Sequence, residues 1–180
     1  MGLGFDRYPG RTGKVRHMKN TICIGGASGF WGDASLATPQ LLATEKLDYI
    51  VYDYLAEITM SIMARARAAD DSQGYATDFL AAVLRPNLRS IAEQGVKVIA
   101  NAGGVNPRAC AEAAKALIAE QGLDMKVAVV LGDDLGSRVA GFAADDAREM
   151  FSNAPFPDPS LIASINAYLG AFPIALALRE

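Results

Sequence analysis

Four short, mostly apolar runs constrain this chain more than any other feature: Thr21–Gly25, Asp48–Tyr52, Val96–Ala100 and Lys126–Leu131. A helix-length stretch separates each from the next. Strands this apolar need cover on both faces, and strands alternating with helices build a parallel sheet wrapped by helices. The expected fold is therefore α/β, a Rossmann-like or flavodoxin-like parallel sheet with flanking helices. The strand order stays open at this point.

The intervening stretches carry helix punctuation. Ser35–Lys46 reads as a helix whose start is blurred by Pro39. Glu57–Ala69 is rich in alanine and methionine, and Asp70–Tyr75 is a polar loop. Asp78–Gln94 keeps an apolar stripe through Leu80, Leu84, Leu88 and Ile91, with Pro86 set to kink or split it and Gly95 to end it. Pro107–Gln121 has the fullest signature: Asn106 as cap, Pro107 in the first position and Gly122 at the end. Gly141–Phe151 reads as a further helix. Pro155–Pro159 is a connection. Leu161–Leu178 is uncharged and of near membrane-span length, but Ser164, Asn166, Gly170 and Pro173 interrupt it, so it reads as a buried helical segment.

With 180 residues, 51% of them apolar, the chain suits one domain with a proper core rather than disorder. The expected organisation is a basic, disordered extension over 1–19 and a single α/β domain over 20–180. In residues 1–20, Arg7, Arg11, Lys14, Arg16 and Lys19 face Asp6 alone, and Met18 stands just before the first strand as an alternative start. The net charge of −3 gives no global attraction to nucleic acid. No secretory signal is present, and Cys23 and Cys110 form no metal or redox spacing. Both read as buried thiols of a reducing compartment, so a cytoplasmic setting is expected, with neither membrane nor nucleic-acid partner.

Parallel strands point their C-terminal ends to one edge, where ligands bind. Those ends are Gly25–Asp33, Asp53–Glu57, Asn101–Pro107 and Gly132–Asp134, each rich in glycine, Asn or Asp. Gly26, Gly29 and Gly32 have the spacing of a dinucleotide turn. Asp53 lies 21 residues past Gly32, where an acid would meet an adenosine ribose. An NAD(P)-binding oxidoreductase is therefore one alternative. Against it, no tyrosine has a lysine four residues on, and Trp31 is bulky for a phosphate turn.

Gly103 and Gly104 precede a capped helix, a second place where backbone N–H groups could hold an anion. Glu57 and Asp133 are the candidate catalytic pair for proton transfer, since neighbouring carboxylates split their pKa values. Gly26, Ser28, Gly29, Asp53, Asn101, Gly103, Gly104, Asn106 and Asn166 are the candidate ligand-binding residues. The lone histidine, His17, argues against Ser-His or Cys-His chemistry and a histidine-rich metal site. No metal or cofactor is assigned, and no reaction follows from these residues.

Taken together, Ile24–Asp33, Leu47–Val51, Leu55–Glu57, Asn101–Pro107, Gly132–Asp134 and Asn166–Ala171 resemble the acyclic terpene utilisation family. Order and spacing agree from about Asn20 onward. The resemblance implies a bacterial cytoplasmic protein of citronellol- and geraniol-type catabolism, which proceeds through CoA thioesters. It suggests an acyl-CoA or carboxylate ligand at the strand ends. It also implies a longer chain, so that this one corresponds to an N-terminal portion, truncated near a βα boundary. A non-enzymatic accessory subunit or fragment docking on a CoA-handling enzyme is the other alternative. Either way, self-association or cover by the missing segment is expected over the apolar final stretch.

Overall fold

The computed structural model describes residues 21–44 and 46–180. The expected extension over 1–19 lies outside the described residues. Three parallel strands form the sheet: β1 (Ile24–Ser28), β2 (Tyr49–Tyr52) and β3 (Lys97–Ala100). β2 is central, the order of one Rossmann-type half. The pairing runs Ile24 to Tyr49 and Tyr49 to Lys97, and slips between Gly26 and Ser28.

Helix α1 (Ala34–Leu42) passes through Pro39 and starts earlier than its sequence suggests, with Asp33 at its N-cap. Helix α2 (Glu57–Ala69) has the expected bounds. Its first turn is tied by the Thr59 hydroxyl, which accepts the Ala56 N–H at 2.6 Å. The expected kink or split at Pro86 takes the form of a change of helix type, the helical backbone running on through it. Phe79–Leu84 forms π-helical turns, and α3 (Arg85–Gln94) follows with Pro86 in its first turn, where the missing N–H matters least. Gly95 ends α3 at a left-handed φ of 68°. Helix α4 (Pro107–Glu120) is capped by Asn106, whose Oδ1 accepts the Ala109 N–H at 3.4 Å.

The core lies on one side of the sheet. Ile50 and Tyr52 are buried there with Phe79, Val83, Leu88 and Ile91. Tyr52 packs edge-on against Phe79, and its hydroxyl shares a 3.1 Å hydrogen bond with Thr38 of α1. On the opposite side the expectation of full cover fails: Tyr49 and Val51 are half-buried and Ile24 is 62% exposed. The apolar strand sequences reflect this one deep face together with partial cover on the other. Cys23 is exposed rather than buried, while Cys110 is buried. Cys23 precedes β1, and its backbone, not its side chain, makes the contact with Asp48.

The fourth expected strand does not form. Residues 123–131 make no ladder, although Leu123, Met125 and Val127 lean on the core between exposed neighbours. Alternation of this kind fixes which side chains turn inward but not whether a backbone neighbour is in register. The expected Gly141–Phe151 helix shrinks to α5 (Val139–Ala144). The expected Leu161–Leu178 helix shrinks to α6 (Phe172–Ala177). Gly170 at φ 72° and Pro173 in the first turn set where α6 can begin. That stretch is not buried: Leu161, Tyr168 and Phe172 are exposed, and no described residue beyond Ile118 is buried. No helix among the described residues is long and apolar enough to cross a membrane.

Candidate functional site

The parallel strands deliver three of the candidate residues to one place. Asn101, just past β3, donates from Nδ2 to Asp53 Oδ1 at 2.7 Å and accepts the Tyr54 N–H at 2.7 Å. Ser28, the last residue of β1, donates from its hydroxyl to the Asp53 carbonyl at 3.2 Å. Side chains thus stitch the C-terminal ends of all three strands. Glu57 opens α2 nearby in sequence and is exposed; among the described residues it makes no hydrogen bond to Asp133.

Asp133 and Asn166 come together elsewhere. Asn166 Nδ2 donates to Asp133 Oδ2 at 3.0 Å, and the Ala167 N–H donates to the Asp133 carbonyl at 2.8 Å. An isolated antiparallel bridge joins Asp134 to Asn166. This clasp ties the loop after residue 131 to the stretch before α6.

Both glycine loops are already occupied by their own chain. In the first, Asp33 Oδ2 accepts the Gly29 N–H at 3.0 Å, so a carboxylate stands where a phosphate oxygen would. Trp31 Nε1 donates to Asp78 Oδ1 at 2.5 Å, which ties the loop to the residue before Phe79–Leu84, and the indole packs against the core. Gly26 has no atom within 4 Å of where a Cβ would stand. In the third loop, the Gly104 N–H donates to the Asn101 carbonyl, while the Val105 and Asn106 N–H groups donate to the Gly74 carbonyl at 2.9 and 3.1 Å.

Gly104 has φ 50°, and a Cβ there would overlap Met63 Sδ and stand 2.7 Å from the Gly74 carbonyl oxygen. Gly103 is crowded in the same way by Pro107, with a Cβ falling 2.9 Å from its Cα. Asn106 is 9% exposed, and its Nδ2 donates to the carbonyls of Asp71 and Gln73. Packing therefore accounts for these two glycines and for Asn106.

The third loop and the Asp133–Asn166 clasp share one cleft. It is open, of about 480 Å³, and lies between Ala64, Arg67 and Ala68 of α2, Val105, and the stretch from Ile162 to Asn166. Val139 and Pro159 add apolar wall. Arg67 supplies its positive charge, with Asp71 and Asp134 opposing it, and Arg67 Nη1 donates to the Val105 carbonyl. Sequence reasoning passed over Arg67. Its signal was a cation inside the alanine-rich end of α2, one turn before the loop that carries Asp71.

A polar group also sits under the first loop. Tyr54 is fully buried, and neither its hydroxyl nor Asp33 Oδ1 has a hydrogen-bond partner. Burial pushes the phenol pKa up, and the charges of Asp78 and Asp33 add to the rise, with the Tyr52 ring between them in effect.

The family model described as acyclic terpene utilisation family protein AtuA matches residues 22–180. The chain belongs to the acyclic terpene utilisation family. Membership ties it to the use of acyclic terpenes, as the resemblance implied. No curated protein and no solved structure matches the chain.

Proposed function

We propose that this member of the acyclic terpene utilisation family binds a small aliphatic carboxylate, or its acyl-CoA thioester, at the C-terminal edge of the sheet. The observation that carries the reading is the cleft between α2 and Ile162–Asn166. Its volume of about 480 Å³ lies within the ordinary range for small-molecule sites. Val105, Val139, Ile162 and Ile165 suit a branched aliphatic chain. Arg67 suits a carboxylate or another anionic group, through charge-assisted hydrogen bonds. Asp71, Asp134 and Asn166 suit donors, such as the amide N–H groups of a pantetheine arm.

The strand ends supply the frame. Ser28, Asp53 and Asn101 hold the loops, while Gly103, Gly104 and Asn106 hold the wall that Val105 presents. Neither of the residues expected to transfer protons, Glu57 and Asp133, lines this cleft; Asp133 touches it through Asn166, and in this reading it positions that amide. Gly26 and Gly29 leave room for a ligand to pass the end of β1. A dinucleotide is disfavoured, because Asp33 holds the Gly29 N–H and Asn101 holds the Asp53 carboxylate.

A second reading is favoured by the exposed side chains of Leu161, Phe172 and Leu176. They suit an accessory subunit that docks on a CoA-handling partner.

Calorimetric titration tests the first reading. A branched medium-chain carboxylate or its CoA thioester should bind, NADPH should not, and Arg67→Gln should weaken binding by about tenfold or more. NADPH binding in place of the other two would end this reading.

A further inference from the structure

The group beneath the first glycine loop lies apart from the cleft, and no residue lining the cleft belongs to it. Three observations meet there. First, Tyr54 is 0% exposed and its hydroxyl has no partner, and Asp33 Oδ1 beside the same loop is also buried without one. A buried polar group left unpaired is costly, so two in one place are unusual in a settled core. Second, the loop closes over them through a side-chain latch, Trp31 Nε1 to Asp78 Oδ1 at 2.5 Å. Third, the latch residue stands between Gly29 and Gly32. A Cβ at Gly32 would meet nothing within 4 Å, and its φ of 105° is open to glycine alone. The turn is held by few contacts, the Gly29 N–H on Asp33, the Trp31 indole on Asp78 and the packing of Trp31 on the core, and its glycines leave the backbone free to hinge once these are released.

We propose that Gly29–Gly32 is a gate latched by Trp31 on Asp78, and that it covers a subsite for an uncharged group that both donates and accepts. A ligand hydroxyl or primary amide fits. It would accept from the Tyr54 hydroxyl and donate to Asp33 Oδ1, satisfying both orphaned atoms at once. Asp33 and Asp78 flank the site, so anions are repelled from it. The aromatic floor of Tyr52, Tyr54 and Phe79 is rigid, with Tyr54 packed edge-on against Phe79 at 5.7 Å. Opening the gate therefore costs the core only the contact of the partly buried Trp31 and leaves this floor in place. This inference does not rest on the ligand assigned to the cleft.

Trp31 is the chain's single tryptophan, so its fluorescence reads the gate directly. Acrylamide, a neutral primary amide, and iodide, an anion of similar quenching power, are the two probes. In the unaltered chain acrylamide should quench well and iodide poorly. Asp78→Ala removes the latch and one flanking charge. It should raise acrylamide quenching by about twofold and iodide quenching by more. Tyr54→Phe removes an orphaned hydroxyl and should leave the melting temperature unchanged or raise it by a few degrees.

Equal quenching by iodide and acrylamide in the unaltered chain would overturn the charge selectivity and the proposal with it. Unchanged quenching in folded Asp78→Ala, which keeps no acceptor for the indole N–H, would show that Asp78 latches nothing. A fall of several degrees in Tyr54→Phe would show that the hydroxyl already has a partner. If Asp78→Ala does not fold, the probe ratio and the Tyr54→Phe melt still decide the matter.

Discussion

Asn101 and Asp53 face each other across the ends of β3 and β2, joined by a 2.7 Å hydrogen bond from the Asn101 amide to the Asp53 carboxylate. The other side of the same amide accepts the Tyr54 N–H, so one side chain satisfies a strand end and orients an acid. Asn101→Asp replaces the donor with a second carboxylate beside the first. We expect a loss of about 1–3 kcal/mol in urea unfolding at neutral pH, smaller in high salt, which screens the two carboxylates from each other. An equal loss at low and high salt would show that charge repulsion plays no part.

Gly104→Ala should be the most damaging small substitution in the third loop. The added Cβ meets Met63 Sδ and the Gly74 carbonyl oxygen, and φ is 50°. Overpacking and a left-handed conformation each add about 1–3 kcal/mol. Met63→Ala relieves the side-chain overlap but not the carbonyl contact, so the double variant should recover only part of the loss. Full recovery would show the Gly74 carbonyl to be free to move.

The two cysteines should react at different rates. Cys23 is exposed, while burial pushes the Cys110 thiol up to about 11 from 9.0. Iodoacetamide at pH 8 should label Cys23 promptly and Cys110 only as fast as the chain opens. The sign of the pH effect follows. The unfolded thiol ionises from 9.0 while the folded one stays neutral to about 11, so stability falls as pH climbs through that window. Cys110→Ala should flatten this part of the pH–stability curve. Mass spectrometry of the labelled chain and denaturation at pH 8 and pH 10.5 would check both points.

The fold was legible where local chemistry decides it. The Asn106 cap and the end of α3 at Gly95 each follow from one residue's backbone preferences, as does the place of Pro86 in the first turn of α3. The approach of Ser28, Asp53 and Asn101 was legible because parallel strands leave little choice about where their ends point. Residues 126–131 and 161–178 were not legible, since their apolar patterns need a neighbour that sequence periodicity does not identify. Arg67 and Tyr54 were missed for a related reason. Each matters through what packs beside it, Val105 in one case and the unpartnered Asp33 oxygen in the other.

The stretch beyond Ile118 leaves Leu161, Tyr168, Phe172 and Leu176 exposed among its apolar side chains. Such a surface favours association. Sedimentation velocity should show the apparent mass rising with concentration, and Phe172→Ser with Leu176→Ser should suppress the rise. A monomer at every concentration would show that these side chains find cover within the chain.

The central claim is the ligand cleft between α2 and Ile162–Asn166, and a crystal grown with a branched medium-chain carboxylate tests it most directly. The account predicts density in the cleft, with the carboxylate on Arg67 and the aliphatic chain against Ile162 and Ile165. Density at the Gly26–Asp33 loop with the cleft empty would contradict it.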